Sequence, residues 1–83
     1  MEFRLLVDLD VIDFLQSLPA HERRRLYRHF REIQKYPSNA SDFISQDEAG
    51  RRLDVSSFDG FRVYYWTDAA DRHIKILEIK VTD

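Results

Sequence analysis

Two tight turns near the end of the chain constrain its fold more than any other feature. Asp59-Gly60 lies between two strand-like runs. An Asp-Gly pair in that setting is the strongest short hairpin signal, because a type I′ turn needs positive φ at both central residues and these two tolerate it best. The run from Phe61 to Thr67 is aromatic and β-branched except for Arg62, and Asp68-Ala69-Ala70-Asp71 closes a second turn. The last third therefore predicts three consecutive antiparallel strands, roughly Arg52 to Phe58, Phe61 to Thr67 and His73 to Val81.

The first half has a different period. Phe3 to Val7 is a short apolar run that predicts a strand, and Asp8 or Asp10 offers an N-cap oxygen for the helix after it. Val11, Ile12, Phe14, Leu15 and Leu18 recur at helical spacing. Pro19 stops this first helix, since the residue before a proline avoids the α conformation, and it suits the first turn of the next. The second helix is expected from about Ala20 to about Lys35, with Leu26, Phe30 and Ile33 as its apolar stripe and Pro37 as its stop. Residues 37–50 are polar and acidic and predict a connecting loop with at most one helical turn, anchored by Phe43 and Ile44. The order is strand, helix, helix, three-stranded meander. It predicts one α+β domain over residues 1–83, with the helical hairpin packed on one face of an antiparallel sheet and the other face partly open.

Composition narrows the function classes. Without cysteines there are no disulfides and no thiolate metal sites, which fits a reducing cytoplasm. No run is long enough for a membrane span, and the N-terminal stretch lacks the pattern of a secretion signal. A formal charge of −2 argues against a generic nucleic-acid binder, although the charge is uneven, +1 over residues 1–36 and −3 over residues 37–83.

Several groups are candidates for chemistry. Arg62 shares strand parity with Tyr64 and Trp66, while Phe61, Val63 and Tyr65 point the other way. On an open face, Arg62 beside two aromatic rings suits a phosphate with a neighbouring base; alternatively, it pairs with an acid such as Asp54 or Glu78. Arg51 and Arg52 open the first strand of the meander, and Arg52 joins Arg62 on one surface only if the strands twist or bulge. Arg24, Arg28 and Arg31 form a basic stripe on the second helix, suited to a phosphate backbone or to solvent with pairs such as Glu32 and Arg28. His73, at the start of the last strand, is a candidate base near neutral pH. His21, His29 and His73 lack partners at metal-ligand spacing, so no metal or other cofactor is expected. The aromatic strand is superficially similar to that of an RRM domain, but that fold needs a helix between its third and fourth strands.

The element order, Phe14-Leu15-Gln16-Ser17-Leu18-Pro19, Pro37 and Gly60-Phe61-Arg62-Val63-Tyr64-Tyr65 together resemble the RelE/ParE superfamily of bacterial toxin–antitoxin toxins. The resemblance covers nearly the whole chain. It implies either a RelE-like endonuclease that cuts mRNA in the ribosome or a ParE-like poison of DNA gyrase, in both cases held by a cognate antitoxin. It places Arg62 at the family arginine that contacts the scissile phosphate. The family's two lysines on the preceding strand fall near Leu53 and Val55, leaving Arg51 and Arg52 as the nearest basic substitutes. The family's C-terminal arginine and tyrosine or histidine would lie past Val81-Thr82-Asp83, so proton transfer would fall to Tyr64, Tyr65 or His73. A catalytic set of Arg62, Tyr65 and His73 follows, with Arg24, Arg28, Arg31, Arg51 and Arg52 positioning RNA. The alternative is a non-catalytic protein, a gyrase poison or degenerate toxin, that works by binding alone.

Overall fold

The computed structural model describes residues 3–82, so Met1, Glu2 and Asp83 lie outside the described residues. Strand β1 (Arg4–Val7) leads into helices α1 (Leu9–Gln16) and α2 (Ala20–Lys35), the short helix α3 (Pro37–Ala40), and strands β2 (Phe43–Gln46), β3 (Arg52–Phe58), β4 (Phe61–Asp68) and β5 (His73–Val81). The expected α+β order is present. Residues 37–50 hold the single helical turn allowed for them, α3, but in place of the rest of the expected loop there is a fifth strand, β2, which pairs antiparallel with β3 at one edge. β1 closes the other edge by pairing parallel with β5, giving the order β1-β5-β4-β3-β2.

Local chemistry explains the boundaries. Asp59 (φ 50°) and Gly60 (φ 86°) both take positive φ, as the two-residue turn demands. Arg72 (φ 53°) does the same in the second turn. Asp8 occupies the N-cap of α1, but its side chain makes no capping bond there. Its backbone N–H donates to the Ile76 carbonyl (3.0 Å) and its own carbonyl accepts from Val11 and Ile12, so the cap is built from main chain tied to the sheet. Pro19 stands immediately before α2, in extended backbone.

The helices lie on one face of the sheet. Val11 and Leu15 from α1 and Leu26, Phe30 and Ile33 from α2 pack against Val63, Tyr65, Ile74 and Ile76, all of them buried. Ile12 and Tyr27, which flank these stripes, stay exposed. Phe43 and Ile44 anchor nothing, at 41% and 55% exposure, because an edge strand of four residues has no layer to cover it. The opposite face carries a smaller cluster of Leu53, Val55 and Tyr64, flanked by Trp66 and Leu77. Among the described residues no helix is long and apolar enough to cross a membrane.

Candidate functional site

β4 divides its side chains as parity requires. Phe61, Val63 and Tyr65 face the helices, whereas Arg62, Tyr64 and Trp66 face the open side. Arg62 is exposed, its guanidinium 5.4 Å from the centroid of the Phe43 ring on the edge strand. It pairs with neither Asp54 nor Glu78. Its cross-strand neighbours are Ser57 on β3 and Lys80 on β5.

Lys80 reaches that position through a bulge. Tyr65 pairs with Ile76 but Tyr64 pairs with Glu78, so Leu77 is an extra residue on β5. Glu78 and Lys80 therefore share the open face with Tyr64 and Arg62. The Lys80 ammonium lies 5.1 Å from the centroid of the Tyr64 ring. Beside them runs a groove of about 620 Å³ lined by Leu53, Tyr64, Glu78, Lys80 and the β2–β3 turn.

That turn holds Arg51 toward the same face. Asp47 accepts hydrogen bonds from the Arg51 N–H (2.8 Å), the Arg51 Nε (2.8 Å) and the Ala49 N–H (3.0 Å). These bonds, the Arg51 backbone bond foremost, hold the Asp47 carboxyl below its ordinary range. So fixed, the Arg51 guanidinium lies 5.5 Å from the centroid of the Trp66 ring.

The other expected residues do not join this constellation. Tyr65 is fully buried beneath the helices, and its hydroxyl donates to the Pro37 carbonyl at 2.5 Å. Burial first, and the nearby Asp54 carboxylate second, push its phenol well above the usual tyrosine range. It is no proton carrier for the open face. His73 pairs across the strands with Asp68, six β4 positions from Arg62, or roughly 20 Å at about 3.3 Å per residue. Its ring meets Trp66 edge-on at 5.6 Å, and its buried Nδ1 makes no hydrogen bond. Contrary to the spacing argument, the fold brings ligand atoms of Asp68, Asp71 and His73 within 4.8 Å of one another, a group that could hold a cation among the described residues. Arg52 points to the helix side with Asp54, 4.0 Å away, because β3 there is regular and supplies no bulge to turn it. Arg24, Arg28 and Arg31 are exposed on α2, in the layer across the sheet from Arg62. Arg31 donates to Gln34 (3.1 Å), and the expected Glu32–Arg28 pair is absent among the described residues.

Sequence reasoning missed Lys80 as a member of the site and saw Glu78 only as a possible ion-pair partner. The signal was present in β5, where Ile74 and Ile76 are followed by Ile79, a one-residue slip in the apolar period.

No protein-family model matches the chain, and no curated protein matches it in sequence. Solved structures do. A chain of the archaeal RelE–RelB complex of Pyrococcus horikoshii OT3 superposes with a TM-score of 0.81 at 26% identity, over 98% of this chain and 96% of that one. A chain of the toxin–antitoxin complex RelBE2 of Mycobacterium tuberculosis gives 0.83 at 12% identity, over 98% and 99%. The isolated E. coli RelE toxin gives 0.76 at 13% identity, over 98% and 85%. Near-complete mutual coverage, the five-stranded sheet with its helices, and 26% identity to a chain of the archaeal complex agree with the motif-level likeness, and the chain has a RelE-like fold.

Proposed function

We propose that this protein is the toxin of a type II toxin–antitoxin pair, held by a cognate antitoxin in the cytoplasm, and that it cleaves mRNA on the ribosome. The structural neighbours, two of them toxin–antitoxin complexes, support the toxin role and an antitoxin partner. One observation carries the nuclease reading. Arg62 and Lys80 stand directly opposite each other on an open face, and neither has a carboxylate partner among the described residues. Like charges facing each other across a sheet repel, so the pair is unfavourable until an anion sits between them. A phosphate meets that need, and Tyr64, Trp66 and Phe43 supply aromatic surface for the bases beside it. Arg51 extends the same cationic face, whereas the α2 stripe of Arg24, Arg28 and Arg31 would meet RNA on a separate side.

Induced expression, with mRNA 5′ ends mapped in a translation extract, tests this. Codon-registered cuts that vanish in Arg62→Ala are expected; no cuts in any frame would end the nuclease reading. A second reading, binding without catalysis, is favoured by the position of Tyr65 and His73, since neither reaches Arg62. Inhibition of gyrase supercoiling by the purified protein would support the poison version. Silence in both assays would leave a protein that only engages its antitoxin.

A further inference from the structure

In-line cleavage of RNA needs a group that takes the 2′-hydroxyl proton; Tyr65 is buried, His73 is distant, and Tyr64, the third candidate, has its ring covered by the Lys80 ammonium at 5.1 Å. The bulge in β5 supplies another. In an unbroken strand Glu78 and Lys80 would keep the phase of Ile74 and Ile76 and point into the core under the helices. The extra residue Leu77 turns both outward, setting Glu78 opposite Tyr64 and Lys80 opposite Arg62. Bulges re-aim side chains in this way and concentrate beside active sites. Glu78 is exposed, makes no hydrogen bond or ion pair among the described residues, and lines both grooves that meet Asp47 and Leu53.

Resting on the nuclease reading above, the geometry points to Glu78 as the proton acceptor for RNA held by Arg62 and Lys80. Diagonal cross-strand neighbours such as Arg62 and Glu78 stand about 7–8 Å apart at the backbone. That gap accommodates a scissile phosphate together with the adjacent ribose hydroxyl. The two cations bind the non-bridging oxygens and stabilise the charge that grows there. The 2′-oxygen attacks phosphorus, the P–O2′ bond forms and the P–O5′ bond breaks. The 2′ proton passes to Glu78, the departing 5′-oxygen takes a proton from water, and Glu78 returns its own to the hydroxide left behind. The products are a 2′,3′-cyclic phosphate and a 5′-hydroxyl. A carboxylate at this place opposes phosphate binding, so a face built for binding alone gains nothing from it. This sets the expected signature of Glu78→Gln: ribosome binding kept or strengthened, cleavage lost.

The test is single-turnover cleavage on purified ribosomes programmed with a short mRNA, using wild type, Arg62→Ala, Glu78→Gln and Glu78→Asp, with ribosome binding and thermal unfolding measured for each. Wild type is expected to cut. Glu78→Gln should bind and fold normally and cut about 10²- to 10⁴-fold more slowly; Glu78→Asp should recover part of the rate. If wild type cuts, Arg62→Ala does not, and Glu78→Gln cuts at the wild-type rate, the assignment of Glu78 is overturned and the nuclease reading stands. If wild type cuts nothing, both are overturned.

Discussion

Replacing Tyr65 with phenylalanine isolates one hydrogen bond that the fold uses and the open face does not. The ring stays packed among Phe30, Val63, Ile74 and Ile76 while the donor to the Pro37 carbonyl disappears from the point where α2 gives way to α3. A neutral hydrogen bond contributes about 1 kcal/mol net, and a carbonyl left unpaired raises the loss to about 1–3 kcal/mol. Pro37 is only half-buried, so water relieves part of that, and about 1–2 kcal/mol is expected. At about 4–8 °C per kcal/mol for a domain of this size, Tm should fall by about 5–15 °C. A second signature separates this bond from a packing effect. The folded phenol is held above the ordinary tyrosine value of about 10, chiefly by burial, so its contribution to stability is complete below that pH. At higher pH the unfolded phenol ionises first, and wild type loses up to about 1.4 kcal/mol per pH unit from this group as pH climbs toward the folded value. Tyr65→Phe lacks that loss, so its deficit should be constant below about pH 10 and shrink above it. Urea unfolding of both proteins across that range decides the matter. An unchanged midpoint, or a deficit that never narrows, would refute the argument, and loss of growth arrest with unchanged stability would return Tyr65 to the chemistry.

The open-face cations should behave in the opposite way. Arg62→Ala and Lys80→Ala should each abolish growth arrest on induction while stability changes by no more than about 0.5 kcal/mol, since both residues are exposed; an arrest as strong as wild type would remove the residue from the mechanism. Gly60→Ala should cost about 1–2 kcal/mol in chemical denaturation, because φ of 86° strains any L-residue while the added Cβ would meet only the Thr82 carbonyl at 3.7 Å. His29 stacks on Phe58 with ring centroids 4.4 Å apart and shares a 2.7 Å hydrogen bond with Ser56. Burial holds its pKa below the ordinary value, so its contribution is present above about pH 6.5 and fades as pH falls and the unfolded imidazole takes up a proton. His29→Gln should flatten that acid-side loss of stability, and an unaltered pH dependence would show that the group is not responsible.

The parts of the fold legible in the sequence are those set by local chemistry. Asp59-Gly60 needed no tertiary information to be recognised as a turn, and the Leu26, Phe30 and Ile33 stripe gave α2 its bounds because Pro19 and Pro37 enclose it. β2 was illegible for a physical reason. Four residues, Phe43-Ile44-Ser45-Gln46, carry too short a period to register, and their strand state comes from the hydrogen bonds β3 offers along its free edge. The place of β1 beside β5, parallel across the whole helical segment, is likewise a tertiary fact.

The site divides along the same line. The two-residue period of β4 placed Arg62 with Tyr64 and Trp66, and put Tyr65 on the other side, because β4 runs without an inserted residue. That parity already argued against pairing Tyr65 with Arg62, and the structure enforces it. For β5, counting by twos fails at Leu77, and every assignment beyond that residue inverts. The inversion moves one acid and one base, Glu78 and Lys80, from a buried face where each would cost several kcal/mol to a face where Arg62 waits opposite. A carboxylate and an ammonium could not have stayed inward among Phe30, Ile33 and Ile76 without partners. The spacing of Ile76 and Ile79, three apart instead of two, is the mark the bulge leaves on the sequence. What no spacing could supply was the choice of neighbours, and it is the cross-strand register that brings Lys80 to Arg62 and Glu78 to Tyr64.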